Sequence, residues 1–195
     1  MWRDEWNRRY AGSELLWTAE PNRFLVAETE SLPPGRALDL ACGEGRNAVW
    51  LAERGWEVTA VDFAEVGLEK ARGLAGARGV EPAWVHADLL EYEPPRAAFD
   101  LVAVLYLQLP EGQRRHVLRG AADALAPGGT LLVVAHDRSN LENGHGGPQD
   151  PAVLATPEEV AADLDALEVE RAAVVERRSG AAVALDLLVR ARRRW

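Results

Sequence analysis

The stretch LDLACGEGRNA, residues 38–48, decides how the rest of the chain is read. Gly43, Gly45 and Ala48 satisfy a G-x-G-x-x-G/A spacing between the apolar run ALDLA (residues 37–41) and the helical pattern NAVWLAERG. Glycines placed so let the backbone turn tightly and let a ligand approach it closely, although close strand-to-helix turns also use them for steric reasons alone. In NAVWLAERG, Val49, Leu51 and Ala52 fall on one side of a short helix that Gly55 stops. Working outward, WEVTAVD (56–62) reads as a second strand, 64–77 as a second helix, PAWVHAD (82–88) as a third strand and AAFDLVAVLYL (97–107) as a fourth, apolar enough for burial on both faces. Pro110 opens a helix running to Leu125, and Ala126-Pro127-Gly128-Gly129 then turns the chain into the fifth strand, TLLVVAHD. Thr156-Pro157-Glu158-Glu159 is a capped helix start. The alternating runs LEVERAAVVERR and AAVALDLLVRARR close the chain as a hairpin around Ser179-Gly180. Strands alternating with helices predict an α/β fold: a three-layer α-β-α sandwich around a Rossmann-like, mostly parallel seven-stranded sheet with a C-terminal antiparallel hairpin.

Asp39, Asp62 and Asp88 are read as closing the first three strands, on the carboxyl edge where open α/β sheets bind ligands. Asp62 has the spacing to accept both hydroxyls of a ribose, and Asp88 lies near where an adenine amino group would be. Each acid alone reads as a solvated loop residue; three in succession point to a nucleoside site. Two cofactor classes compete for it. A dinucleotide needs its pyrophosphate on the helix N-terminus, where anionic side chains are unwelcome. With Asp39 just before the loop and Glu44 inside it, a ligand carrying an ammonium group and a cationic sulfur, S-adenosylmethionine, fits better.

Composition bounds the partners. The 195 residues carry 31 acidic against 22 basic side chains, a formal charge of −9, which disfavours a phosphate-tracking surface and predicts no nucleic-acid partner. One cysteine, Cys42, allows no internal disulfide and suits a reducing, cytoplasmic compartment. The N-terminal MWRDEWNRRY lacks the apolar core of a signal peptide, and no apolar run is long enough to span a bilayer, so a soluble protein without membrane contact, monomer or homodimer, is expected. His86, His116, His136 and His145 show no H-x-x-x-H pairing, and no metal site is expected.

The ordered set LDLACGEGRN, VTAVD, HADLLEY, FDLVAVLYL and LAPGGTLLVVAHD resembles the consecutive motifs of the class I S-adenosylmethionine-dependent methyltransferases, and GEGRNAVWLAERGWEVTAVD is similar to their tellurite-resistance and thiopurine methyltransferase branch. The resemblance implies one domain over 1–195, with an N-terminal helical cap over the cofactor site (1–35), a cofactor-binding core (36–136) and an acceptor-side loop, helix and hairpin (137–195). It implies that Asp39, Ala41, Gly43, Gly45, Leu105 and Tyr106 line the methionine part of the cofactor. Asp62 would hold the ribose, Phe63 would flank the adenine, and Asp88 with Leu89 would border the base. Arg23 or Arg46 would pair with the cofactor carboxylate. Trp6, Tyr10 and Trp17, followed by Pro21-Asn22-Arg23, match that branch's N-terminal aromatic pattern in order, and an aromatic face attracts a sulfonium as it does an ammonium. Trp2 reads as packing for the cap. Cys42, with no histidine in its loop, reads as structural.

Methyl transfer from a sulfonium is an in-line displacement whose leaving group is already activated, so alignment and exclusion of water dominate. A soft anion arrives ready to attack; a hydroxyl or amine needs a placed base. The long connection 137–155 is the candidate acceptor-side segment. His136, at its start, and then His145 are the candidate polar groups or bases, with Gln108 another acceptor contact. The predicted function is methyl transfer to a small-molecule acceptor. An NAD-type oxidoreductase and a non-catalytic S-adenosylmethionine-binding protein are the alternatives.

Overall fold

A computed structural model describes residues 3–12 and 14–195; the expectation for Trp2 lies outside them. The chain divides into two compact units, Met1–Glu93 and Pro94–Trp195.

In the first unit, α1 (Arg3–Tyr10) and α2 (Arg23–Thr29) precede β1 (Arg36–Leu40), α3 (Arg46–Glu53), β2 (Glu57–Asp62), α4 (Glu65–Arg78) and β3 (Ala83–His86). The three strands are parallel in the order β3-β2-β1. Leu25, Leu38, Leu40, Leu51 and Leu68 are fully buried in this unit, each worth about 1.5–3 kcal/mol relative to exposure. Burial on α3 takes in the whole run Asn47–Leu51 rather than one face, while Ala52 is only half-buried. Asn22 explains where α2 begins: its side chain accepts the Phe24 and Leu25 N–H groups, and its own N–H donates to Asn47 Oδ1 of α3. On α1, Asn7 Oδ1 accepts the Val66 N–H, one of the orphan donors of the first turn of α4.

The second unit holds β4 (Phe99–Leu105), α5 (Glu111–Ala124), β5 (Leu125–His136), the single turn α6 (Asn140–Asn143), a 3₁₀ turn Pro151–Val153, α7 (Pro157–Asp163), β6 (Glu168–Ser179) and β7 (Ala182–Arg192). Its strand order is β4-β5-β7-β6; β4 and β5 are parallel, and β7 is antiparallel to both β5 and β6. Residues 126–129, expected as a turn, lie inside β5. Register jumps from Phe99↔Leu125 to Leu101↔Thr130, so these residues bulge outward, and Gly128 and Gly129 pair with Arg193 instead. The hairpin turns at Gly180 and Ala181, because Ser179 already pairs with Ala182. The connection 137–155 is tied down by an Asp137↔Ala155 bridge and by Asn140, which accepts the Leu185 N–H and donates to the Gly146 carbonyl. Arg114 and Arg115 of α5 both reach the buried Asp163 of α7, at 2.8 and 3.0 Å.

The α7 start carries the expected capping box, with Thr156 accepting the Glu159 N–H while Glu159 accepts the Thr156 N–H. Thr156→Ala is expected to lower unfolding free energy by about 1 kcal/mol, read as a lower urea midpoint with an unchanged denaturant slope.

Candidate functional site

The glycine loop follows β1 through a run of left-handed backbone: Ala41 at φ 63°, Gly43 at 55° and Gly45 at 78°. Only glycine adopts this without penalty, and Ala41 holds it at a cost of about 1 kcal/mol or more. Space forbids side chains as well. A Cβ on Gly45 would lie 2.6 Å from Ala71 Cβ and 2.7 Å from the Trp84 ring, and one on Gly43 would lie 2.8 Å from the Tyr10 hydroxyl. The loop is clamped from β2: Asp62 accepts the Gly43 N–H through one oxygen and the Ala64 N–H through the other, both at 2.8 Å. Each oxygen keeps a lone pair for a further donor.

Asp39 behaves differently. It is the penultimate residue of β1 rather than its end. It is fully buried, and neither carboxylate oxygen has a hydrogen-bond partner. Burial, with the Asp62 charge adding to it and the Arg46 guanidinium opposing it, pushes its pKa up to about 7. Two buried acids thus flank the loop: Asp62 holds the Gly43 and Ala64 N–H groups, whereas on Asp39 only the Ala48 backbone N–H acts, as the least of the influences on its pKa. Cys42 is buried between them, its thiol pushed well up by burial and then by Asp39 and Asp62, as suits the structural role expected.

Of the other expected cofactor residues, Phe63 is half-buried with its carbonyl 3.0 Å from His86 Nε2, and Leu89 is buried. Asp88 does not close a strand: β3 stops at His86, and Asp88 begins a turn in which its carboxylate accepts the Leu90 N–H. Tyr10 is buried on the glycine loop and stacks on Trp6 at 5.4 Å, with Arg9 over the Trp6 ring. Burial, then the nearby Asp62, pushes its hydroxyl pKa up. Trp17 is 46% exposed and Arg23 is exposed on α2, its guanidinium over Phe24. Arg46, half-buried at the start of α3, is the arginine placed at the loop. Glu44 proves to be a fastener: its carboxylate accepts the Leu16 and Trp17 N–H groups and pairs with Lys70 at 3.0 Å. Lys70 in turn donates to the Glu14 carbonyl. That partnership neutralises the acid that the sequence reading had set against a pyrophosphate.

In the second unit, Leu105 is buried at the carboxyl end of β4, followed by Tyr106 at φ 58°. The Tyr106 hydroxyl donates to Asp186, at 2.8 Å, and so belongs to a polar cluster that the sequence reading missed. Asp186 is fully buried on β7, directly opposite His136 on β5, and also receives the Arg177 guanidinium at 2.7 Å. His136 Nδ1 lies 3.3 Å from Asp186 Oδ1, and Gly147 rests against its ring. Burial lowers the His136 pKa; Asp186 raises it and Arg177 lowers it, each to a smaller degree. A small cavity of about 20 Å³ beside His136 is lined by Val104, Leu109, Val117, Leu118 and Gln108, whose Nε2 is buried without a partner. His145 is exposed in the loop, away from this cluster's contacts.

Residues 37–129 match the family described as "Methyltransferase domain". The demethylmenaquinone methyltransferase of Thermus thermophilus is 38% identical over 125 residues, 63% of this chain and 55% of that protein. The chain therefore spans about half the length of the curated relatives it matches. Among solved structures, N-methyltransferase NodS from Bradyrhizobium japonicum, in complex with S-adenosyl-L-homocysteine, superposes with TM-score 0.78 at 20% identity, covering 98% of this chain and 97% of that one. TehB from Haemophilus influenzae gives 0.75 at 15% identity over 98% of this chain and 67% of that one. Both show the fold: a seven-stranded, mostly parallel Rossmann-like α/β sheet with antiparallel C-terminal strands, as the sequence predicts. They do not single out the tellurite branch within the family.

Asp39 titrates near pH 7 folded against 3.8 in the unfolded chain, so the folded state holds the extra proton between these values and stability falls as pH rises through that window. Asp39→Asn is expected to flatten this dependence and to stabilise the protein at pH 8 by up to about 4 kcal/mol, measured by urea unfolding from pH 4 to 8.

Proposed function

We propose that the protein transfers a methyl group from S-adenosylmethionine to a small-molecule acceptor. The observation that carries this reading is the buried, unpartnered Asp39 carboxylate beneath a loop that admits no side chain at Gly43 or Gly45. That pair of features fits the ammonium end of the cofactor, since an isolated buried carboxylate is costly until a cation or donor meets it. When bound, the cofactor supplies an electrophilic methyl group on a cationic sulfur. Asp39 would hold its ammonium and Arg46 its carboxylate, with Ala41, Gly43 and Gly45 lining the methionine part. Asp62 has a free lone pair on each oxygen for the ribose hydroxyls. Phe63, Leu89 and Asp88 would border the base, and Tyr10, backed by Trp6, would present an aromatic face. Trp17 completes the set on this unit; Arg23, exposed on α2, fits it least.

Within the family we place the chain on the tellurite-resistance and thiopurine-like branch, supported by Trp6 and Tyr10 in order before the loop, the latter lying on it. We assign it to the cytosol on its single cysteine, and to a free small molecule rather than nucleic acid on its charge of −9. Among the described residues no helix is long and apolar enough to cross a membrane. His136 is the acceptor-side base in this reading, and His145 a loop residue that reaches the acceptor on binding.

Calorimetry with S-adenosylhomocysteine is expected to give one site per chain, weakened at least about tenfold in Asp62→Ala, a loss of roughly 1.4 kcal/mol. Greater thermal stabilisation by NADH than by S-adenosylhomocysteine would reverse the choice of cofactor.

A further inference from the structure

We propose that Asp186 is a positioning residue for His136, and that His136 takes the proton of an acceptor that arrives as an uncharged phenolic or enolic hydroxyl. This rests on the methyl-transfer reading and names the acceptor class for it.

The cluster follows from strand register. His136 and Asp186 are cross-strand partners on β5 and β7, so their side chains leave the same face. Val175 of β6 is the next position in that row, which brings Arg177, two residues on, to the same face and within 2.7 Å of Asp186. Tyr106, in left-handed backbone at φ 58°, donates its hydroxyl to the same carboxylate. Asp186, 0% exposed, is thereby fixed from two sides, its Oδ1 lying 3.4 Å from Arg177 Nη2 and 3.3 Å from His136 Nδ1, which makes no hydrogen bond of its own. The negative charge of a carboxylate at that distance draws the ring proton to Nδ1, which leaves the Nε2 lone pair as the base. Nε2 has no protein partner among the described residues, and 14% of the side chain is open to an incoming molecule. Strain at Tyr106 and burial of an acid are costs that a plain sheet end has no need to carry.

The groups around His136 decide what it can deprotonate. Asp186 on β7, Arg177 on β6 and Tyr106 after β4 face it, Asp137 is its chain neighbour, and Arg114 of α5 lines the adjoining cavity with its charge already met by Asp163. The remaining wall is aliphatic with one amide, Gln108. A protonated amine would add a cation beside Arg177, and a thiolate or carboxylate needs no base. Among hydroxyls, an aliphatic alcohol with a pKa near that of water, about 16, is too far from imidazole for efficient transfer. A phenol at about 10 is within reach. In the step, the acceptor O–H bond breaks and its proton goes to Nε2. The freed oxygen pair forms the bond to the methyl carbon, and the carbon–sulfur pair stays on sulfur as a neutral thioether. The imidazolium formed sits beside the Asp186 carboxylate.

The test begins without cofactor, on full-length protein carrying isotope-labelled histidine. His136 is assigned by loss of its signal in His136→Gln, and its pKa and ring-nitrogen shifts are followed in wild type, Asp186→Asn and Tyr106→Phe. The wild type is expected to show one tautomer with Nε2 unprotonated. Asp186→Asn is expected to mix the tautomers and move the pKa down, and Tyr106→Phe to move it up by leaving the carboxylate less occupied. Should Asp186→Asn fail to fold, the Tyr106→Phe shift decides. With cofactor, 1-naphthol is expected to be methylated with an acidic limb that follows the His136 pKa, and to slow about 10²–10⁴-fold in His136→Gln. The rate with 1-naphthalenethiol, already an anion, is expected to stay within about threefold in that variant. An unmoved His136 titration in folded variants, or naphthol inert while 1-naphthylamine or the thiol reacts, overturns the proposal. Failure to bind S-adenosylhomocysteine would instead sink the methyl-transfer reading, leaving the titration to decide the role of Asp186.

Discussion

The N–H groups of Gly43 and Ala64 both end on the Asp62 carboxylate, and the first unit is organised around that clamp. It fastens the loop after β1 to the end of β2 and holds Ala41, Gly43 and Gly45 in left-handed backbone. With the loop fixed, the Gly43 amide serves Asp62, while both Asp39 oxygens stay without a full hydrogen bond. The fold therefore gives one buried acid backbone donors and leaves the oxygens of the other, on the neighbouring strand, without a hydrogen bond. In the proposed reading, that asymmetry is what would set a cradle for a cationic ligand apart from a merely tight turn. Glu44 and Lys70 extend the same logic outward, because their pairing lets one acid gather the N–H groups of Leu16 and Trp17 and pin the segment after α1 beside the loop.

The second unit solves a related problem with side chains instead of amides. Asp186 is as deeply buried as Asp39, yet Tyr106 and Arg177 both meet it. Breaking such a set by removing one partner costs more than the set contributes when intact, so its value lies in specifying geometry rather than in raw stability. What it specifies is the ring of His136, one strand away.

Much of the architecture was legible because period and punctuation agreed. LDLACGEGRNA carried strand, loop and helix in eleven residues, and Thr156 with Glu159 announced α7. Boundaries failed where hydrogen bonding beyond the local chain took over. The Ala126–Gly129 segment looks like a turn but is absorbed as a bulge, because Arg193 pairs with its glycines. Asp62 was legible as a strand-end acid; the desolvation of Asp39 was not, since burial is a property of the packed sheet. Asp186 was invisible for a plainer reason. Inside AAVALDLLV a single acid reads as the solvent face of an alternating strand, and only the β5–β7 register reveals its partner. Arg23, read as a cofactor contact, is exposed at the start of α2, just after the Asn22 cap.

The central claim is that the Asp39 carboxylate lacks a partner until a cationic amino-acid group reaches it. Carbon-13 titration of the Asp39 carboxyl, with and without S-adenosylhomocysteine, tests this most directly. The expected result is a midpoint near 7 in the free protein that falls by more than about one unit when the ammonium of the ligand binds. A midpoint that stays in place at saturating ligand would contradict the account.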